Sequence, residues 1–359
     1  MPEGHSVHRI AAQFARNFVG QTVWASSPQG RFATGAQLLD GHTMIDARAV
    51  GKQMFLEFDN ELWLRVHLGI YGAWDFAGEI QLDATIASAN GRMGQTNQRG
   101  TVLPEESAGR ELSASLAPGP QILDEAGENS MTSIGAPRRS RLHMGEAEKD
   151  AAAPRGAFPP EPVGQVRLRL LTETVCADLR GPTACELIDR EQLTTVLGKL
   201  GPDPANDAGP AEEQRFVDAV AAKRTPIGLV LMDQSVVSGI GNVYRAEMLF
   251  RARLNPHLPG NALSQAQIRE LWADWVRLLD VGVKTGQMMT MDGLDAEQYR
   301  AAMAARADRH WVYKREGLAC RICGTHIVLE EMANRKLYWC PQCQAWPSGL
   351  AISEPKESR

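Results

Sequence analysis

Four cysteines near one end of the chain, Cys320-x2-Cys323-x16-Cys340-x2-Cys343, constrain its folding more than any other feature. Two thiolates two residues apart can close on one ion, and two such turns complete a tetrahedral sulfur site of the structural zinc type. A redox dithiol and an iron–sulfur cluster are the competing readings of such a pattern. Between the pairs, Ile327-Val328-Leu329 and Lys336-Leu337-Tyr338-Trp339 read as two strands around a turn at Ala333-Asn334. A hairpin this small cannot bury a core, so metal binding must supply much of its folding energy. Four thiolates leave no open position for catalysis. The loop does present Arg335, a natural phosphate contact. The two other cysteines, Cys176 and Cys185, read as core thiols.

At 359 residues the chain has room for two or three domains. No apolar run approaches the roughly eighteen residues of a membrane span. The start lacks a basic region followed by an apolar stretch, which argues against a signal peptide and for a cytoplasmic protein. The net charge of −5 argues at first against a nucleic-acid partner. Its distribution weakens that objection. Residues 81–162 hold eleven acidic and eight basic side chains, so −3 of the −5 lies there. Meanwhile Arg309, Lys314, Arg315, Arg321, Arg335 and Lys336 can form a basic face.

The segment 78–164 is rich in Ala, Gly, Ser, Glu, Pro and Arg and shows no sustained period, the mark of a largely disordered insertion. A short element near Met131–Met144, with four basic residues within Arg138–His143, could dock on the fold, though its composition favours a solvated tract. On either side lie short alternating runs (Thr22–Ala25, Thr43–Ala49, Gln53–Phe58, Glu61–His67, Tyr71–Asp75, Val166–Leu170 and Thr174–Leu179) that predict one interrupted β domain. The half beyond about Glu191 predicts helices across Glu212–Ala222, Pro226–Asp233, Val243–Ala252, Ser264–Thr285 and Ala296–Ala307. Within it, Gly239-Ile240-Gly241-Asn242 is a glycine turn whose asparagine and following helix N-terminus could grip a phosphate.

The opening residues carry the sharpest chemistry. Val7, Ile10, Ala11, Phe14 and Phe18 form one apolar stripe, predicting a helix from Glu3 to Phe18. If Met1 is removed, Pro2 presents a secondary amine at the positive end of that helix dipole, which lowers the amine's pKa; Glu3 pushes the other way. A secondary amine attacking a sugar aldehyde yields an iminium with no N–H to lose, a strong electron sink. Taken alone, an N-terminal proline is more readily a consequence of processing, and Lys52 a solvated surface charge.

Taken together, Met-Pro-Glu-Gly at 1–4, Gly51-Lys52, His67-Leu-Gly-Ile-Tyr-Gly72, Met232-Asp-Gln-Ser-Val-Val-Ser-Gly-Ile-Gly-Asn-Val-Tyr244 and the zinc hairpin, in that order, resemble the formamidopyrimidine-DNA glycosylase/endonuclease VIII family. The resemblance covers nearly the whole chain outside 78–164 and is closer to the endonuclease VIII branch, in particular its actinobacterial members.

The resemblance implies an α+β fold. An N-terminal β-sandwich with a catalytic N-terminal helix (1–190) precedes a helix-two-turn-helix domain (191–308) and a zinc-finger β-hairpin (309–351). It implies a monomer that binds damaged DNA in the cleft between them, with one structural zinc on Cys320, Cys323, Cys340 and Cys343. Pro2 would be the nucleophile on the deoxyribose anomeric carbon, and Glu3 the acid/base on the sugar ring. Lys52, Asn242 and Arg335 would hold phosphates, and Ile70-Tyr71 would fill the void left by a flipped base. The implied activity is removal of oxidised bases, pyrimidines foremost, followed by β,δ-elimination. An oxidised-purine glycosylase and a non-catalytic zinc-dependent DNA-binding protein are the alternatives. One position departs from the branch: Ser6 stands where a second acidic residue is common.

Overall fold

A computed structural model describes residues 2–81, 133–135, 158–305 and 308–347. The first helix, α1 (Gly4–Asn17), follows the expected stripe, with Glu3 at its N-cap and Phe18 closing it through a bond to the Phe14 carbonyl. Val7, Ile10, Phe14 and Phe18 are buried, and Phe14 meets Phe18, Trp74 and Phe76 in one aromatic cluster.

That cluster belongs to a β domain. Strands β1 (Thr22–Ser26), β2 (His42–Val50), β3 (Gln53–Phe58), β4 (Trp63–His67), β5 (Ala73–Gly78), β6 (Ser133–Gly135), β7 (Val166–Leu171), β8 (Val175–Arg180) and β9 (Ala184–Ile188) join in the order β6-β5-β8-β7-β1-β2-β3-β4-β9. Strand β1 turns the corner: Thr22 and Val23 pair with β2, while Trp24, Ala25 and Ser26 pair with β7. The sheet therefore folds into two layers whose inner residues share one core, Met54, Leu56 and Leu64 from one side and Trp74, Leu168 and Leu179 from the other. This is the expected sandwich.

Two features went unforeseen. A short helix, α2 (Ala33–Leu39), sits between β1 and β2, where seven residues carry too little apolar period to be read. Residues 78–81, 133–135 and 158–164, assigned above to a disordered insertion, belong to the ordered domain. β5 runs to Gly78, β6 pairs with β5, and the carbonyls of Pro160 and Val163 accept from Arg169 and Arg180. The basic run Arg138–His143 lies outside the described residues.

The helical half comprises α3 (Arg190–Leu197), α4 (Pro210–Ala221), α5 (Ile227–Val230), α6 (Asn242–Arg251), α7 (Gln265–Thr285) and α8 (Ala296–Ala304). Its local signals are strong. Pro210 opens α4, where its missing N–H costs nothing, and Ser264 with Gln267 forms a capping box on α7. Ile268, Leu271, Trp272, Trp275, Leu278 and Leu279 give α7 the apolar face that closes this core against Phe216, Tyr244 and Leu249. The last helix stops at Ala304 rather than Ala307.

Two strands, β10 (Val328–Met332) and β11 (Arg335–Trp339), form the terminal hairpin, with Ala333 and Asn334 both at positive φ in its turn. Its small core is completed by Ala246 and Phe250 of α6.

Helix α1 lies between the two halves. Its apolar stripe faces the sandwich, yet its polar face is buried too. Arg9 donates to the Val283 carbonyl of α7 at 2.6 Å, and the His5 ring stands edge-on to Tyr244 of α6. Burial drives the His5 pKa down to about 3, with Arg9 adding in the same direction, so the ring is neutral there.

Candidate active site

A cavity of about 190 Å³ opens where α1, the β2–β3 turn, the β4–β5 loop, the Gln234–Asn242 turn and the zinc hairpin converge. Pro2, Glu3, Lys52, Ile70 and Arg335 all line it, joined by Val7, His67, Met232 and Gln234.

Glu3 is fully buried, and the reason is visible. Its Oε2 accepts from Gly241 N at 2.9 Å and its Oε1 from Val243 N at 2.9 Å. The carboxylate thus satisfies the orphan amides that open α6 and sits at the positive end of that helix. A Cβ on Gly241 would fall 2.3 Å from the Glu3 carboxyl carbon, so only glycine admits the side chain. Similarly, Gly4 donates to the Gly239 carbonyl at 2.9 Å, and a Cβ at Gly4 would stand 2.9 Å from Gly239 Cα. The chain start is thereby threaded into the glycine turn.

This corrects one expectation. The N-terminus of α6 does not wait for a phosphate, because the Glu3 carboxylate already occupies it. Nor does Asn242 reach out freely. Its Nδ2 donates to the Lys336 carbonyl at 2.7 Å, and its Oδ1 accepts from Arg245 at 2.5 Å. Arg245, buried beneath, also donates to the Lys336 carbonyl at 3.1 Å, so two α6 side chains hold strand β11 beside the cavity. Burial lowers the Arg245 pKa to about 10, with Arg335 adding to the effect.

Lys52 is not the solvated charge that its sequence neighbourhood suggests. It lies half-buried, and its Nζ donates to the Ile240 carbonyl at 2.5 Å. Burial lowers its pKa to about 8; Glu3 pulls it upward and Arg335 further down. His67 beside it is held below the usual histidine range, first by burial and then by Lys52 and Arg65. Ile70 and Tyr71 stand exposed on the β4–β5 loop, Ile70 at the cavity itself and half exposed. Arg335 is exposed on the cavity wall at the start of β11. Ser6 is buried, its Oγ 3.2 Å from His5 Nε2, so no second carboxylate enters from that position.

Sequence reading missed His67, Met232 and Gln234 as lining residues, although all three lie inside the stretches that carry the resemblance. It also missed Arg245 and Glu247, whose only signal is a charged residue on an otherwise apolar helix.

The four cysteine sulfurs of the hairpin all lie within 4.8 Å of one another. The Cys320–Cys343 and Cys323–Cys340 edges are 3.8 and 3.5 Å. A tetrahedron of sulfurs about 2.3 Å from zinc has edges of about 3.8 Å, so the residues fit the ion. They form a closed structural zinc site that secures the hairpin and with it Arg335.

Comparison with known proteins agrees with this layout. The family model described as the formamidopyrimidine-DNA glycosylase N-terminal domain matches residues 1–101, and the corresponding H2TH domain matches 200–292. The zinc finger found in FPG and IleRS matches 317–345. Endonuclease 8 1 from Mycobacterium tuberculosis is 32% identical over 345 residues, covering 96% of this chain and 100% of that protein. The chain belongs to the formamidopyrimidine-DNA glycosylase/endonuclease VIII family. Formamidopyrimidine-DNA glycosylase from Prochlorococcus marinus, at 36% identity, matches only 154 residues, 43% of this chain and 51% of its own. Among solved structures, the Lactococcus lactis glycosylase bound to AP-site DNA superposes with a TM-score of 0.60 at 19% identity, covering 96% of this chain and all of that one. The same fold is found in the Thermus thermophilus enzyme, with a TM-score of 0.58. No helix among the described residues of this glycosylase is long and apolar enough to cross a membrane.

Proposed function

We propose that the protein is a bifunctional DNA glycosylase and AP lyase of base excision repair, acting on oxidised bases and on pyrimidines foremost. One observation carries this reading: Pro2, Glu3, Lys52 and Arg335, from three distant parts of the chain, line a single cavity.

With Met1 removed, the Pro2 nitrogen attacks C1′ of the damaged nucleotide. The glycosidic bond breaks, the base leaves with the bonding pair, and an iminium forms between Pro2 and the opened sugar. Glu3, locked in one rotamer by the α6 amides, exchanges a proton with the ring oxygen as it opens. The iminium then acidifies C2′–H. Its loss expels the 3′ phosphate, a second elimination expels the 5′ phosphate, and hydrolysis frees the amine.

The base must leave the stack to reach an enclosed amine, at a cost of a few kcal/mol. Lys52 and Arg335 bring positive charge to the cavity for the flanking phosphates, whatever the net charge of the whole chain. Asn242 takes a third phosphate by exchanging its bond to the Lys336 carbonyl. Ile70 and Tyr71, apolar and exposed on one loop, fill the vacated space. The full-length similarity to a protein named endonuclease 8 supports the endonuclease VIII reading, whose implied substrates are oxidised pyrimidines, and the AP-site DNA complex of a structural relative supports DNA binding.

Borohydride trapping tests the reading. Oligonucleotides carrying an oxidised pyrimidine, an oxidised guanine or an abasic site are each incubated with the enzyme and reduced. The expected result is a covalent adduct with the pyrimidine and abasic substrates that vanishes when an uncleaved N-terminal extension blocks the Pro2 nitrogen. Absence of an adduct with all three sinks the enzymatic reading; a stronger adduct with oxidised guanine reverses the preference.

A further inference from the structure

One buried carboxylate outside the cavity joins two of the elements that build it. Asp203 is 5% exposed and lies between α3 and α4. Its Oδ2 accepts from Gly51 N at 2.6 Å, from His8 Nε2 at 2.8 Å and from Asn206 Nδ2 at 3.2 Å. Its Oδ1 accepts from Ala205 N at 3.0 Å. Asn206 also donates to the Ala49 carbonyl at 2.8 Å, so the β2–β3 turn is gripped on both sides of Val50. From the opposite side the turn meets Ser238, whose Cβ would be 2.7 Å from any Cβ on Gly51. Ser238 in turn donates to the carbonyls of Pro202 and Gly201, at 2.9 Å each. The turn so enclosed carries Lys52, and His8 lies on the helix that begins beside Pro2 and Glu3.

We propose that Asp203 is a positioning residue of the glycosylase site: its carboxylate locks the Gly51-Lys52 turn to α1, while the Gly201 and Pro202 carbonyls just before it hold Ser238 against that turn, setting Lys52 against the Ile240 carbonyl. The proposal rests on the catalytic reading above. Four donors converge on the two oxygens, and only a carboxylate has acceptors for all of them. An asparagine there must turn its NH2 toward either Gly51 N or Ala205 N, opposing donor to donor. The Gly51 turn then loses its tether, and Lys52 relaxes toward solvent. Misplacing a group near the reacting atoms by about an ångström costs up to about a hundredfold in rate.

Lys52 shares the cavity with the Pro2 amine, Glu3, His67 and Arg335, and Asp203 faces His8. The Pro2 amine must lose its proton to attack and so shapes the acidic limb, whereas loss of the Lys52 proton shapes the alkaline one. Burial holds the Lys52 pKa at about 8. Release to water raises it, moving the alkaline limb to higher pH.

The test uses the full-length, zinc-loaded enzyme at saturating abasic-site DNA under single-turnover conditions, from pH 6 to 10. Asp203→Asn is expected to slow adduct formation by about tenfold or more and to shift the alkaline limb upward. His8→Ala gives a smaller loss, and His8→Gln, whose amide N–H replaces the imidazole donor, restores the rate. Val175→Ala, which thins the sandwich core on β8, several strands away from the β2–β3 turn, serves as a stability control with wild-type rate and limb. The proposal is overturned if Asp203→Asn keeps the wild-type rate and limb, or if Val175→Ala reproduces its profile. If Asp203→Asn does not fold, the His8 pair decides, and His8→Gln no better than His8→Ala counts against it. A wild-type enzyme that forms no adduct fails the catalytic reading itself, a result distinct from a normal wild type with an indifferent Asp203 variant.

Discussion

Two fully buried glutamates at helix α6 are each clasped by backbone amides, and they serve different ends. At its amino end, Glu3 from the chain start accepts from Gly241 and Val243 amides. Midway along, its own Glu247 accepts from the amides of Trp311, Val312 and Tyr313, at 2.7, 2.9 and 2.8 Å, and from the Thr290 hydroxyl at 2.5 Å. Glu3 borders the cavity; Glu247 is closed in by the segment leading to the zinc hairpin and does not line it. Burial pushes the Glu247 pKa up, with the four donors pulling against it. The comparison separates two uses of one device. A carboxylate clasped by backbone amides is a rigid joint. It becomes chemistry only where one face is left open to a substrate and a nucleophile stands beside it.

The largest effect that bears on this contrast is at Pro2. An uncleaved extension, which turns the proline nitrogen into an amide, abolishes the borohydride adduct while leaving the thermal transition near wild type, and Pro2→Gly, which keeps a primary amine, weakens it. Next come the two glutamates as a pair. Glu3→Gln lowers single-turnover cleavage by about 10²–10⁴-fold with a small change in Tm. Glu247→Gln does the reverse. Leaving buried amides imperfectly paired costs about 1–3 kcal/mol, so Tm falls by several degrees and a chelator extracts zinc faster, while folded enzyme still forms the adduct. A Glu247→Gln variant with normal Tm and lost chemistry would erase the distinction.

Zinc removal probes the hairpin side. Chelation should unfold β10 and β11, release Arg335 from the cavity wall and weaken DNA binding without altering the sandwich core. Arg335→Ala in zinc-loaded enzyme reproduces the binding loss and reduces the slope of log K against log salt by about 0.9. The smallest effect is on stability at Lys52. Its pKa is about 8 folded and near the ordinary lysine value unfolded, so the unfolded chain binds more protons between those values. Stability therefore gains from this group as pH rises from about 8 toward 10, while activity declines. Lys52→Met should be more thermostable than wild type at pH 7 and markedly less active.

Much of the secondary structure was readable because its signals are local. The α1 stripe, the Ser264 capping box and the paired cysteines each lie within a few turns of chain. The short α2 was not readable, nor was the strand at 133–135, whose three residues pair with the edge of β5. At the site, Pro2, Glu3, Lys52 and Arg335 were legible as residue types in family order. Their environments were not. Lys52 reads as solvated until Ile240 is seen over it, and Asn242 reads as a free phosphate grip until Lys336 and Arg245 are seen holding it.

The sequence by itself determined the helical and strand periods, the metal ligands and the family, since each depends on residue type and spacing along the chain. Tertiary structure alone decided that the Glu3 carboxylate caps α6, that Gly241 must be glycine to admit it, and that Asp203 ties His8 to the Lys52 turn. Those contacts join residues some 150 to 240 positions apart. Hydrogen-bond direction and burial at such separations arise only when the two halves close on α1, and no local pattern encodes them.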